Sequence, residues 1–118
     1  MANYFSRDEF KCPHCGENKI SDEFIERLDE VRRVYGKPMV ITSGYRCPAH
    51  NAAVGGVDGS AHTEGLAADI ACSFAADRMR MVEIAIGEGF RRIGISKTFV
   101  HLDISESHPQ SVMWLYSS

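Results

Sequence analysis

The stretch SAHTEGLAADIAC, residues 60–72, places a histidine and an aspartate among residues that are otherwise small or apolar. His62 and Asp69 are separated by six residues, and Gly65 lies between them. The second half, LAADIA (66–71), reads as a short strand. Side chains alternate between the two faces of a strand, so Asp69 lies opposite its apolar neighbours and can point away from the core. The stretch therefore predicts a strand that presents a carboxylate on a polar face.

A second segment, TFVHLDIS (98–105), shows a clear period of two. Phe99, His101 and Asp103 point to one face, which therefore carries an imidazole and a carboxylate side by side. The opposite face is predicted to belong to the core, and its residues are Val100, Leu102 and Ile104.

His62, Asp69 and His101 together make a set of two histidines and one carboxylate. Three protein ligands with an open fourth position is the arrangement of catalytic zinc, which polarises a carbonyl and lowers the pKa of a bound water. Spacing alone leaves an alternative without metal, in which His62 and Asp69 are an ordinary loop pair and His101 is an exposed strand histidine. Three further histidines are available as ligands: His14, His50 and His108.

Length and composition narrow the class of protein. The chain has 118 residues, which predicts one domain over residues 1–118. Its net charge of −3 does not favour nucleic-acid binding, and no apolar run approaches a membrane span of about 20 residues. The opening stretch MANYFSRDEF lacks the apolar segment of a signal peptide. We therefore expect synthesis in the cytoplasm, with release or carriage by other means if the protein acts outside.

Helices and strands are both predicted along the chain. ISDEFIERLDEVRRVYGKP (20–38) predicts a helix that begins after Ser21 and ends at Gly36 and Pro38. AADRMRMVEIAIGEGF (75–90) predicts a second helix. The predicted core residues of the two helices are Phe24, Leu28, Val31, Met79, Val82 and Ile86. The predicted strands are MVITSG (39–44), LAADIA (66–71), RIGI (92–95), TFVHLDIS (98–105) and VMWLY (112–116).

The order of these elements predicts an α+β fold, with a small, mostly antiparallel sheet flanked by helices on one side. Residues 45–65 are rich in glycine and predict a long loop, which in a compact domain is usually functional. The charges of the RMR and RR segments are expected to be solvated. Trp114 is expected to pack against the core or to cover the rim of a cleft.

Three motifs resemble one enzyme family when they are taken together. They are TSGYRCPAHNAAVGG (42–56), GSAHTEGLAADI (59–70) and FVHLDI (99–104), in this order. They resemble the zinc-dependent D-alanyl-D-alanine carboxypeptidase family of cell-wall peptidases, which includes phage endolysins that cut at L-alanyl-D-glutamate. YFSRDEFKCPHCG (4–16) resembles the opening segment of small phage-encoded members. The resemblance implies peptidoglycan peptides as substrates, and the α+β fold shared with the hedgehog signalling domain.

The resemblance also implies roles for individual residues. The family pattern Ser-x-His-x-x-Gly-x-Ala-x-Asp, followed by a strand His-x-Asp, implies that His62, Asp69 and His101 hold Zn²⁺. The arginine of its Ser-Gly-Tyr-Arg motif maps onto Arg46. Arg46 is then expected to grip a substrate carboxylate or to hold the site together, since its planar fork suits a carboxylate. A surface or purely structural role for Arg46 is the alternative.

The general base is where this sequence departs from the family. Many members place Glu or Asp three residues before the last histidine ligand, where this chain has Thr98, which cannot act as a base near neutral pH. The nearest substitute is Asp103, whose alternative role is to orient His101. Glu64 and Glu106 are the next candidates. Loss of the base would leave a non-catalytic, zinc-containing binding module on a cell wall or a phage tail.

The four cysteines allow several states. Cys12-Pro-His-Cys15 has the spacing of a zinc knuckle and, with Cys47 and Cys72, would make a Cys₄ site. Disulfides and reduced thiols are the alternatives, and a contact between Cys47 and Cys72 is expected if their segments converge on one cleft. The sequence favours unpaired thiols over a disulfide, and a disulfide over the knuckle.

Overall fold

The computed structural model describes residues 4–57 and 59–116. The first three residues of the opening stretch MANYFSRDEF thus lie outside the described residues. A short 3₁₀ helix at Arg7–Phe10 comes first. The α-helices of the described part are α1 (Asp22–Tyr35), α2 (Pro48–Ala53) and α3 (Ala75–Gly87). Its strands are β1 (Ile41–Ser43), β2 (Ala67–Ala71), β3 (Arg92–Ile95), β4 (Phe99–Asp103) and β5 (Val112–Leu115).

The strands form one sheet in the order β1-β2-β4-β3-β5. Neighbouring strands are antiparallel except β3 and β5, which pair in parallel. The predicted α+β fold with a mostly antiparallel sheet is therefore confirmed. Within the described residues, no helix is long and apolar enough to cross a membrane.

The core lies between one face of the sheet and helices α1 and α3. Val100 and Leu102 of β4 are fully buried in it, as the period of two predicts, and Ile104 packs against its edge. In α1, the Ser21 side chain accepts a hydrogen bond from the Phe24 N–H at 3.2 Å. The helix ends at Gly36, which adopts the left-handed conformation with φ 76°. The predicted core residues of α1 are all buried: Phe24, Leu28 and Val31.

The buried face of α3 differs from the predicted one. Met79 is 62% exposed and Ile86 50% exposed, so their assignment to the core is wrong, whereas Val82 is buried as predicted. Met81 and Ala85 take their places in the core. Both sets of residues recur at helical spacing, so periodicity alone cannot choose between them.

The predicted long loop contains a helix, α2, at Pro48–Ala53. Cys47 caps this helix, because its sulfur accepts a hydrogen bond from the His50 N–H at 3.4 Å. Proline suits the first helical position, where its missing N–H would have no partner within the helix. The prediction of a loop throughout 45–65 is therefore wrong, and the helix holds the segment that follows Arg46 in a fixed shape.

Candidate metal centre

The face of the sheet away from α1 and α3 carries two of the predicted zinc ligands, Asp69 and His101, and the third, His62, reaches them from the turn before β2. Asp69 of β2 and His101 of β4 are directly opposite each other in the antiparallel pair. Asp69 Oδ1 lies 2.9 Å from His101 Nδ1 and 3.3 Å from His62 Nε2. All three residues are buried. One donor atom from each lies within 4.8 Å of the other two, so the structure brings the predicted set together.

His62 is positioned by the segment just before Arg46. Its Nδ1 lies 2.8 Å from the carbonyl oxygen of Gly44. A carbonyl only accepts, so Nδ1 carries a proton, and Nε2 is the nitrogen left to bind a metal. The His62 carbonyl in turn accepts a hydrogen bond from the Arg46 N–H at 3.1 Å.

Gly65 lies at a point where a side chain would not fit. Its φ is 74°, in the left-handed region, and an added Cβ would meet the carbonyl oxygen of Lys19. Its own carbonyl accepts a hydrogen bond from the Ser21 N–H at 2.8 Å. Gly65 therefore lets the turn that carries His62 pack directly against the start of α1.

Asp103 lies behind His101. Its Oδ2 is 2.6 Å from His101 Nε2, and its Oδ1 accepts hydrogen bonds from Arg92 Nε at 2.7 Å and from the Ser105 N–H at 3.1 Å. The residue has no exposed surface. This geometry favours the second role that the sequence left open, in which Asp103 orients His101.

Arg92 is the buried counter-ion of Asp103. Its guanidinium also donates to the Pro109 carbonyl at 2.7 Å and lies over the Trp114 ring, 4.9 Å from the ring centre. The expectation that the charges of the RR segments are solvated is therefore wrong for Arg92. A buried carboxylate needs a nearby positive charge, and the register of β3 against β4 places Arg92 opposite Asp103.

The electrostatics of the cluster keep its carboxylates ionised. Burial raises the pKa of Asp69, but hydrogen bonds and charges from His101 and His62 outweigh burial and hold it well below its usual range. Burial likewise raises the pKa of Asp103, and His101, the Ser105 N–H and Arg92 bring it below its ordinary value. Both carboxylates are therefore negative at neutral pH, as binding of a cation requires.

Three side chains hold Arg46 beside the three candidate metal ligands His62, Asp69 and His101, which are called the ligand cluster below. Its Nε donates to Ser43 Oγ at 3.1 Å, and its Nη1 donates to Asn51 Oδ1 at 3.2 Å. Its Nη2 lies 3.5 Å from Asp69 Oδ2. The arginine side chain is 15% exposed, at the edge of a cleft. Two of its five N–H donors remain for a ligand, so Arg46 can support Asp69 and reach into the cleft.

The ligand cluster forms the floor of a cleft of about 520 Å³. One wall is the glycine-containing segment 54–57, and the other wall is aromatic. The aromatic residues are Phe99, Trp114 and Tyr116. The Trp114 ring lies 5.2 Å from the His101 ring, measured between their centres, so this tryptophan lines the cleft.

Gly94 makes room for the aromatic wall. It lies between His101 and Trp114 in the sheet. An added Cβ would lie 2.6 Å from Trp114 Nε1 and 2.6 Å from Tyr116 Cε2. The missing side chain therefore lets both rings lie close over β3.

The sequence analysis missed a polar network at one end of the cleft. His108 lines the cleft, and its Nδ1 lies 2.7 Å from Ser105 Oγ. The Ser105 hydroxyl lies 2.6 Å from Glu64 Oε1, and Ser107 donates to Glu64 Oε2 at 2.7 Å. Ser105, Ser107 and His108 follow the His-x-Asp strand, and Glu64 lies in the turn after His62. The sequence named Glu64 and His108 as separate candidates, but nothing in it indicated that they meet.

The other base candidate, Glu106, lines a different pocket. Thr98, at the position where many family members carry the base, is not among the cleft residues.

The cysteines separate into two places. Cys12 and Cys47 belong to a small buried cluster with Tyr45, and Cys72 lies in the main core. The expected contact between Cys47 and Cys72 is therefore wrong, and Cys72 cannot complete a Cys₄ site. None of the four cysteines, all within the described residues, forms a disulfide.

Comparison with known families agrees with the motifs and the fold. The family profile described as peptidase M15 matches residues 3–103, a range that includes all three candidate ligands, Arg46 and Asp103. No curated protein matches the chain. Because the match covers most of the sequence, and the residues that carried the resemblance meet at one cleft, the chain belongs to the peptidase M15 family of zinc peptidases.

Proposed function

We propose that this protein is a zinc-dependent peptidase that hydrolyses the stem peptides of peptidoglycan. The observation that carries the proposal is the buried cluster of His62, Asp69 and His101 at the floor of a cleft, in a chain of the M15 family. The bond cut is D-alanyl-D-alanine or L-alanyl-D-glutamate. Such a substrate places the activity at the cell wall, which the protein reaches after release or on a phage particle.

The donor set fits zinc. Two imidazole nitrogens and one carboxylate oxygen are preferred ligands, and bonds of about 2.0–2.1 Å in tetrahedral geometry put the ligand atoms roughly 3.3 Å apart. The observed separations from Asp69 Oδ1 are 2.9 Å and 3.3 Å. The other nitrogen of each histidine is anchored, by Gly44 or by Asp103. Zinc held there would polarise the scissile carbonyl and lower the pKa of a coordinated water.

Arg46 is proposed to bind a carboxylate of the substrate. Either candidate bond has a free carboxylate on its C-terminal residue, and Arg46 has two N–H groups left to bind it. Its bonds to Ser43 and Asn51 hold the guanidinium in place beside the floor of the cleft. The carboxylate would thereby fix which peptide bond lies over the ligand cluster.

His108 is proposed to accept a proton from the attacking water and to return it to the leaving nitrogen of the cleaved peptide bond. Asp103 has both oxygens engaged and no exposed surface, so we propose that it positions His101. Among the cleft residues that the structure describes, His108 and Tyr116 are the titratable side chains outside the ligand cluster and the ion pairs of Arg46, Arg92 and Asp103. An imidazole suits proton transfer near neutral pH, and Ser105 holds its Nδ1.

A binding module without catalysis is the second candidate. It is favoured by Thr98, which occupies the position where many relatives carry the general base. The two candidates share the fold and the metal, so only turnover separates them.

The test is digestion of purified peptidoglycan by the zinc-loaded protein, followed by mass spectrometry of the released peptides. We expect fragments cut at one of the two bonds, and none from His62→Ala protein treated in the same way. Binding to peptidoglycan with no cleaved fragment at any zinc concentration would overturn the peptidase and support the binding module.

A further inference from the structure

A second group of metal-ligating side chains lies outside the cleft. The sulfur atoms of Cys12, Cys15 and Cys47 lie within 4.8 Å of one another. Cys12 is fully buried and Cys47 is nearly so, whereas Cys15 is exposed. Two of these cysteines come from one tight turn, and the third comes from the loop 35 residues further along the chain. None of them lines the cleft that holds the histidines.

The backbone around the sulfurs is arranged to receive negative charge. The Cys47 N–H donates to Cys12 Sγ at 3.4 Å, and the His50 N–H donates to Cys47 Sγ at 3.4 Å. The turn that holds Cys12 and Cys15 closes through a hydrogen bond from the Gly16 N–H to the Cys12 carbonyl at 2.9 Å. Gly16 has φ 76°, which a residue with a side chain rarely adopts.

Negative charge on Cys12 is consistent with this arrangement. Burial raises the pKa of the Cys12 thiol, but backbone N–H groups of Cys47, Cys15 and His14 outweigh burial and lower it to about 7. At Cys15 the Glu17 backbone lowers the pKa of the thiol, but partial desolvation and the neighbouring Cys47 and Cys12 side chains outweigh it and raise that pKa. The thiolate is the form that binds metal. Several thiolates at this distance repel one another unless a cation lies among them.

We propose that Cys12, Cys15 and Cys47 bind a second, structural zinc ion, with His50 as the fourth ligand. Four-coordinate Cys₃His is a known class of structural zinc site, in which the sulfurs are roughly 3.8 Å apart at Zn–S bonds of about 2.3 Å. His50 follows Cys47 by three residues, so both lie on one side of the first turn of α2. Its ring stacks on that of His14, with the ring centres 6.0 Å apart.

The second ion would link the N-terminal segment to the loop that supports the ligand cluster. The Tyr45 N–H donates to the Phe10 carbonyl at 2.7 Å, and a Cβ on Gly44 would lie 2.6 Å from Phe10 Cα. Gly44 provides the carbonyl that orients His62, and Cys47 directly follows Arg46. An ion between Cys12, Cys15 and Cys47 would therefore fix this loop from outside the cleft. The inference does not depend on peptidase activity.

The first test counts metal in the intact protein. Elemental analysis of wild type is expected to give about two zinc ions per chain, falling to about one in His62→Ala and to about one in Cys47→Ser. Cys72→Ser is the matched control, because Cys72 lies in the main core, and it should keep both ions. His50→Ala should weaken binding at the cysteines, and His14→Ala should not; the reverse result would overturn His50 as the ligand.

The second test reads the ligands directly. Cobalt-loaded His62→Ala protein is expected to show an intense thiolate-to-cobalt charge-transfer band, lost in Cys12→Ser and kept in Cys72→Ser. If the serine variants fail to fold, alkylation of the thiols in wild type should release one zinc ion to a metallochromic indicator. Unmodified thiols with no second metal would overturn the proposal. An intact mass lower by two hydrogens, with no second metal, would overturn it in favour of a disulfide.

Discussion

Each histidine of the ligand cluster is fixed through the ring nitrogen that faces away from Asp69. The Gly44 carbonyl holds His62 at 2.8 Å, and the Asp103 carboxylate holds His101 at 2.6 Å. Both anchors accept hydrogen bonds, so the opposite nitrogens are left to offer lone pairs. Neighbouring residues therefore set the direction of the ligands, and the role of each can be tested by a single substitution.

Asp103→Asn removes the negative charge next to His101 but keeps the shape of the side chain at position 103. If Asp103 orients His101, zinc affinity should fall by about 10–100-fold, and turnover at saturating zinc should stay close to wild type. Zinc titration and peptide hydrolysis with zinc in excess measure the two effects. A variant with normal zinc affinity that has lost roughly 10²–10⁴ in turnover would instead show that Asp103 is the base.

Arg46→Lys keeps the positive charge but loses the planar fork. A charge-assisted hydrogen bond contributes about 1.5–3 kcal/mol, so we expect kcat/KM to fall by roughly 10–100-fold with zinc content unchanged. The sharper measurement compares a peptide with a free carboxylate against its amide. Wild type should prefer the free acid strongly and the variant weakly. An equal preference in the two proteins would exclude contact between Arg46 and the substrate carboxylate.

His108→Gln tests the proposed proton acceptor. The variant should bind zinc normally and lose about 10²–10⁴ in kcat, because an amide cannot take up a proton near neutral pH. Glu106→Gln is the control in the same segment, since Glu106 lines a different pocket and not the cleft. Full activity of His108→Gln would rule out this role, and Glu64 would then be tested next.

At this scale the sequence could predict which residues share a face, and it could not predict their partners. The period of two in β4 placed His101 and Asp103 on the face opposite the core. The partner of Asp103 depends on how β3 pairs with β4, and that register brings Arg92 opposite it. Nothing in the sequence near Asp103 indicates an arginine 11 residues earlier.

Among the elements, β5 contributes most to the shape of the cleft. It lies parallel to β3 at one end of the sheet and brings Trp114 and Tyr116 over Gly94. The strand was predicted from its apolar residues, but its neighbour and direction were not, because they depend on the path of residues 104–111 after β4. Helix α2 was not predicted, because its six residues are too few to show the hydrophobic period of a helix.

Gly94→Ala should disturb the aromatic wall. The new methyl group would meet Trp114 and Tyr116 at 2.6 Å, and overpacking of this kind costs about 1–3 kcal/mol. Urea unfolding should show this loss in the free energy of unfolding. Gly87→Ala is the control, because a Cβ there meets nothing within 4 Å and alanine favours a helix. Equal stability of both variants would contradict the close packing of β5 on β3.

For the whole molecule, one sheet separates two environments. Helices α1 and α3 cover the apolar face, and the opposite face holds the buried polar cluster under the cleft. The sequence could predict this division, since the alternating pattern of β2 and β4 assigns each face. It could not predict that the N-terminal segment packs against the loop near Arg46. The backbone hydrogen bond between Phe10 and Tyr45 requires no particular side chain, so neither segment has a sequence pattern that indicates it.

The central claim is that His62, Asp69 and His101 hold zinc at the floor of the cleft, and anomalous diffraction at the zinc absorption edge tests it most directly. Crystals of zinc-loaded wild type should show a peak within about 2.0–2.2 Å of His62 Nε2, Asp69 Oδ1 and His101 Nδ1. The same peak should be missing from crystals of His62→Ala. Wild-type crystals grown with zinc that show no anomalous peak among these three atoms would contradict the account.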